Sequence, residues 1–122
     1  MNPQRHVVDV TTDGDGAATV YSQVVSGPIH RVHYVKTDFT DGVDFVVTLE
    51  ATGEPVWSEL DVNAAKVVAP RRALHSALGV ATLYAAGGAA VLGEIVAANE
   101  RIKIVVAAGG ATKTGRFIFV VG

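Results

Sequence analysis

The chain has 122 residues, a formal net charge of −2 and no cysteine. That fits one domain able to bury a core without staples, and it excludes a disulfide framework or a thiolate metal site. So small a charge, with Arg71-Arg72 the only adjacent basic pair, gives no footprint for nucleic acid or for an anionic membrane surface.

Hydrophobic residues make up 49% of the chain and mean hydropathy is +0.34, high for a small domain with 18% charged residues. Two readings fit. One is a Val-rich all-β protein with glycine turns. The other is a protein with more apolar surface than one small core can use.

In chain order, MNPQRHVVDVTTDGDG (1–16) lacks the apolar centre of a signal peptide and reads as a short N-terminal arm or a first strand. ATVYSQVV (18–25) and IHRVHYVK (29–36) alternate with period two and are expected to be strands joined by a tight turn at Ser26-Gly27-Pro28. Asp41-Gly42 marks another turn. In DFVVTLE (44–50), Phe45, Val47 and Leu49 share one face, while Asp44, Thr48 and Glu50 share the other. A turn at 51–55 leads to VWSEL (56–60). Further on, RIKIVV (101–106) sets Ile102, Ile104 and Val106 against Arg101 and Lys103. After a glycine-rich connection, 107–115, RFIFVV (116–121) sets Phe117, Phe119 and Val121 against Arg116. At least seven strands are expected, with turns at roughly 8–12-residue spacing, so the fold is read as all-β, an antiparallel β-sandwich or jelly-roll-like unit in a single domain, 1–122.

Between Ala73 and Gly93 no Asp, Glu, Lys or Arg occurs. Leu74, Leu78, Val80, Leu83, Val91 and Leu92 would together favour membrane insertion by only about 2–4 kcal/mol. His75, Ser76, Thr82, Tyr84 and glycines 79, 87, 88 and 93 oppose it. A helix over 73–85 would match the recurrence of Leu74, Ala77, Leu78 and Ala81. It would lack an N-cap, and it would start on Pro70 and two arginines, where the helix dipole prefers acids. An extended, Ala/Gly-rich apolar connection over about 70–93 is favoured. Such a loop needs cover from its own domain or from a neighbour.

Candidate chemistry is sparse. Lys113-Thr114-Gly115 has the KTG of penicillin-recognising enzymes without the accompanying serine. GATKTGR (110–116) has phosphate-loop glycines, but Arg116 stands where the lysine belongs and the run lies between strands. Asp13-Gly14-Asp15-Gly16 and Asp38, Asp41 and Asp44 do not continue in a calcium-loop register and read as solvated turns. His30 and His33 point to opposite faces of a strand, and His6 and His75 are far off in sequence. Trp57 and Tyr34 read as core or interface anchors. The expectation is a non-enzymatic protein, with no catalytic, cofactor-binding or metal-binding residues and no cofactor.

Taken together, GPIHRVHYVKTDFTDGVDFVVTLEATGEPVW (27–57), APRR (69–72) and ANERIKIVVAAGGATKTGRFIFVVG (98–122) resemble the small β-sandwich virion structural proteins of tailed bacteriophages. The most telling parts are FTDGVDF (39–45), Pro70-Arg71 and the closing NERIKIVV–KTGRFIFVV pair, read as a hairpin. The resemblance implies a capsid decoration or cement protein that binds the major capsid protein lattice and copies of itself, as a trimer. It also implies location in the virion after assembly in the host cytoplasm, with no nucleic-acid or membrane partner. A head–tail connector, a minor tail component and a displayed carbohydrate- or host-binding module remain alternatives. The uncharged stretch then becomes an interface, with Leu74, Leu78, Leu83, Tyr84, Val91 and Leu92 as anchors and Arg71 and Arg72 pairing acids on a neighbour. On that reading Leu83→Glu abolishes assembly and leaves the monomer folded.

Overall fold

Period-two alternation becomes a strand wherever it occurs. In β3 (Val43–Leu49) every second residue, from Val43 to Leu49, is buried, and the intervening ones are exposed or half-covered. The same holds in β8 (Thr114–Val121) and the second half of β7 (Leu92–Ala107), as a sheet with one wet face requires. The structure is a computed structural model that describes residues 3–122, and these contain no helix. The remaining strands are β1 (Gln4–Thr11), β2 (Ala18–Lys36), β4 (Pro55–Val62), β5 (Lys66–Val68) and β6 (Arg71–Ala73). All eight form one antiparallel sheet in the order β1-β8-β2-β7-β3-β4, with β5 added to β2 and β6 to β7. Residues 4–11 are a strand and not an arm: β1 pairs with β8 from Gln4↔Val121 to Thr11↔Thr114.

β2 corrects the first sequence expectation. Ser26-Gly27-Pro28 is not a turn between two strands but a bulged part of one 19-residue strand. Straight, that strand would span about 60 Å at about 3.3 Å per residue, too long for a domain of this size, so it has to bend. Register shifts fall between Tyr21 and Val24, between Val25 and Gly27, and between Ile29 and Arg31, and each bulge adds local bend and twist. Gly27 has φ +114°, and a Cβ there would lie 2.9 Å from the Cα of Gly122. This glycine answers to a bulge and a close backbone approach, not to a reversal. Ser22, buried at the first bulge, repairs the ladder: its hydroxyl accepts the Ile102 N–H at 2.9 Å and donates to the Gln23 carbonyl at 2.7 Å.

The bend lets β2 serve two layers. Its first half pairs with β7, and its second half pairs with β8 and β5. The closing β7–β8 pair is therefore not a hairpin, because β2 lies between them in the sheet. β8 and β3 are three positions apart in strand order, which would be about 14 Å in a flat sheet. Yet Phe117 and Phe45 have ring centroids 5.0 Å apart, and Tyr34 lies 4.7 Å from Phe45 and 5.3 Å from Phe117. The sheet is folded over on itself in the manner of a sandwich, and these rings fill the space between its layers.

Tyr34 is fully buried and its hydroxyl has no hydrogen-bond partner. Burial, and secondarily the charge of Asp41, push its pKa from 10.0 up to about 12. Between those values the unfolded chain loses the phenolic proton before the folded one does. The contribution to stability is therefore full below pH 10 and is lost as pH climbs toward about 12. Tyr34→Phe is expected to raise stability at neutral pH by about 1 kcal/mol, because it removes an unsatisfied buried hydroxyl. It should also flatten the fall in urea midpoint between pH 10 and 12. An unchanged alkaline profile would contradict this account of Tyr34.

Candidate functional site

Past Pro70, which is buried, the chain leaves the body of the protein as β6 and returns as β7, with Arg71↔Glu94, Arg72↔Gly93 and Ala73↔Leu92 in register. Everything between projects as an arm. The segment is extended, so the helical alternative for 73–85 does not form. Ser76, Gly79 and Val80 make a tight turn instead, with Gly79 at φ +78°. Ser76 N–H donates to the Val80 carbonyl at 2.8 Å, and the Ser76 hydroxyl oxygen accepts N–H groups of Leu78 and Val80. A second turn follows: Tyr84 N–H donates to the Ala89 carbonyl and Gly88 N–H to the Ala85 carbonyl. Leu74, Thr82 and Val91 link the three passes of chain through Leu74 N–H to Val91, Thr82 N–H to Leu74 and Val91 N–H to Thr82. The arm thus meets its own backbone hydrogen-bonding needs without drawing on the body.

Its side chains are a different matter. Leu78 is 90% exposed, Tyr84 76%, Val80 63% and Leu92 58%, while Leu74 and Leu83 are less than half exposed and Val91 is half-buried. The buried core contains no residue between Val62 and Ile95. The expected anchors therefore come together on one projection, uncovered by the rest of the chain. Val80 belongs with them and was not among the expected anchors, although it lies in the same uncharged run. Val96, 55% exposed, extends the apolar surface onto β7. Its signal was the alternation of Leu92, Glu94 and Val96 against buried Ile95 and Ala97.

The two arginines both find partners within the chain. Arg72 Nη1 pairs with Glu54 of the same chain at 2.9 Å. Arg71 Nη1 donates to the Pro70 carbonyl at 2.7 Å and reaches the carbonyls of Ile29 and His30 at 3.4 Å. Both fasten the root of the arm while their side chains stay exposed. His30 completes the clamp, with Nδ1 3.0 Å from Glu94 and Nε2 2.7 Å from the Gly122 carbonyl. The result is an apolar tip on a polar, cross-braced base.

Elsewhere the chemistry-bearing motifs resolve into loop architecture. Asp13 Oδ1 accepts the N–H groups of Asp15 and Ala17, and those bonds hold its carboxyl below the usual carboxylate range. The Lys113-Thr114-Gly115 run packs at the same end. Thr12 Oγ1 accepts Lys113 N–H, and Gly115 lacks a side chain because the Phe39 ring lies against it. Among the described residues no three His, Asp or Glu side chains converge as a metal site would require. Among the same residues no helix is long and apolar enough to cross a membrane. No protein family, curated protein or solved structure matches the chain.

Proposed function

We propose that this chain is a non-enzymatic structural subunit of a tailed-phage particle, a decoration or cement protein of the capsid shell, and that the apolar arm binds it to the major capsid protein lattice. The observation that carries the proposal is the arm itself: Leu78, Val80, Tyr84 and Leu92 stand in solvent on a braced scaffold that contributes nothing to the core. Exposed apolar surface concentrated in this way marks a binding site. The resemblance carried by FTDGVDF (39–45) and the closing strands supplies the phage setting.

Magnitudes favour a repeated assembly over a one-to-one complex. Burying each large apolar side chain is worth about 1.5–3 kcal/mol, while association costs about 4–15 kcal/mol in lost freedom. One arm alone binds weakly. Several arms held together, as in a trimer, bind tightly because the later contacts become intramolecular. A displayed carbohydrate- or host-binding module would want a platform of exposed rings. Here Tyr21 lies beneath Arg101, whose Cζ is 4.1 Å from the ring centroid, and Trp57 is half-buried.

Quantitative mass spectrometry of purified particles tests the reading. Decoration of the shell predicts a copy number commensurate with the major capsid protein, and a number fit only for a single ring would move the chain to the head–tail connector. Leu78→Glu is expected to prevent incorporation while leaving the thermal midpoint of the free protein unchanged. Normal incorporation of that variant would sink the proposal.

A further inference from the structure

Six of the seven aspartates of this chain lie toward one end of the strands. At the end where Thr11 meets Thr114, Lys36 meets Gly115 and Asp44 meets Ala107, three loops interlock. Gly109 N–H donates to the Gly16 carbonyl, Thr112 N–H to the Asp13 carbonyl and Thr40 N–H to the Gly109 carbonyl. Asp13, Asp15, Asp38, Asp41, Asp44 and Asp61 gather there, with Lys36, which pairs with Asp41, and Lys113 beside them. The carboxyl of Asp38 is held below the usual range by the Thr114 N–H and hydroxyl.

The opposite half of the outer face formed by β1, β8, β2 and β5 is cationic. Arg5 and Arg31 both pair in register with Val120, one on each side of it, which sets their Cα atoms about 10 Å apart. They line a cleft with His33, Val67, Ile118 and Val120. No acid lines it, and neither arginine has an ion-pair partner among the described residues. The one acid on this face, Asp9, is held by Arg116 at 2.7 Å. Two free guanidinium groups over an apolar floor suit a carboxylate-bearing loop.

We propose that the cleft of Arg5 and Arg31 receives the acidic loop end of a second copy, joining copies head to tail. The occupant follows from charge complementarity: six aspartates outnumber two lysines at the acidic end, and on another face the cleft of two arginines has no acid in its lining. Such a contact is heterologous, so it closes into a ring when the rotation permits; closure after three copies would give a trimer. The inference stands apart from the arm and from the phage setting, since it uses another face and another force.

Sedimentation velocity on the full chain at low and high salt tests it. The wild type is expected to associate at low salt and to dissociate as salt is raised. R5E/R31E and D15K/D41K should each raise the dissociation constant at least about tenfold. The combined variant R5E/R31E/D15K/D41K restores the net charge of the wild type and should associate again, with thermal melts reporting that each variant is folded. The proposal is overturned by a wild type monomeric at low salt, by undiminished association of either double variant, or by a folded combined variant that stays monomeric. Because R5Q/R31Q removes the cations without adding acids, its undiminished association would count equally against it. Association through the arm would persist at high salt, since salting-out ions strengthen apolar contacts, so failure of this contact is distinct from failure of the arm.

Discussion

Under the proposed function, excision of the arm, with residues 74–91 replaced by Asn-Gly, is expected to yield a folded protein that no longer enters particles. Ala73 and Leu92 face one another in register at the foot of the arm, and two residues of this type close an antiparallel pair in a type I′ turn. No core residue lies within the excised stretch. The change in stability should stay within about 1 kcal/mol, which for a domain of this size moves the thermal midpoint by a few degrees. Loss of particle binding should be complete, because every large exposed side chain of the arm tip goes with it. Two measurements check this, a calorimetric scan of the purified variant and its copy number in particles. A variant that unfolded would show that the arm is a structural element. One that bound normally would overturn the arm's proposed role.

The opposite outcome, loss of fold, is expected for Phe45→Ala. Phe45 is fully buried and touches rings on three sides: Tyr34 at 4.7 Å, Phe117 at 5.0 Å and Trp57 at 5.2 Å between centroids. Truncating such a side chain costs about 3–5 kcal/mol, against a total stability of about 5–15 kcal/mol for a typical domain. The urea midpoint should fall by about a fifth or more, and at the lower end of that stability range the chain is unfolded at 37 °C. The effect is large because aromatic residues are only 7% of the chain and most of them are spent here, where the two layers meet. A loss below about 1 kcal/mol would mean that the layers are held by the aliphatic rows alone.

These two residues sets differ in how visible they were beforehand. Phe45 announced itself through alternation with Asp44 and Thr48, and the buried faces of β7 and β8 did likewise through Ile102, Ile104, Phe117 and Phe119. Local pattern determines which side of a strand is wet, so those assignments needed no partner strand. Pairing is another matter. Nothing in NERIKIVV and KTGRFIFVV reveals that a third strand separates them, because insertion of β2 depends on register between segments far apart in the chain. Ser26-Gly27-Pro28 misled for a related reason. Glycine and proline favour turns and bulges alike, and only the backbone of Gly122 passing beside Gly27 decides between them. For the arm, the absence of charge was plain, but its first reversal rests on Gly79 and the Ser76 hydroxyl and its second on Gly87 and the Gly88–Ala85 bond, which a periodicity count does not weigh. Arg71 and Arg72 looked free because Glu54 and the carbonyls of β2 are distant in sequence.

The strand that runs through both layers also sets the order in which this molecule can be made. β2 joins Ala18 to Val106 and Ile29 to Val121, so almost none of its ladder can form until the last strands have left the ribosome. During synthesis a 19-residue segment rich in valine waits with its backbone unpaired, and contacts so distant in sequence form slowly, on the scale of milliseconds to seconds. A chain that stops short of β8 leaves the second half of β2 without its main partner and exposes a ready edge for aggregation. The commitment to fold is thus postponed until β8 is available, and the arm stands on a folded body only from then on.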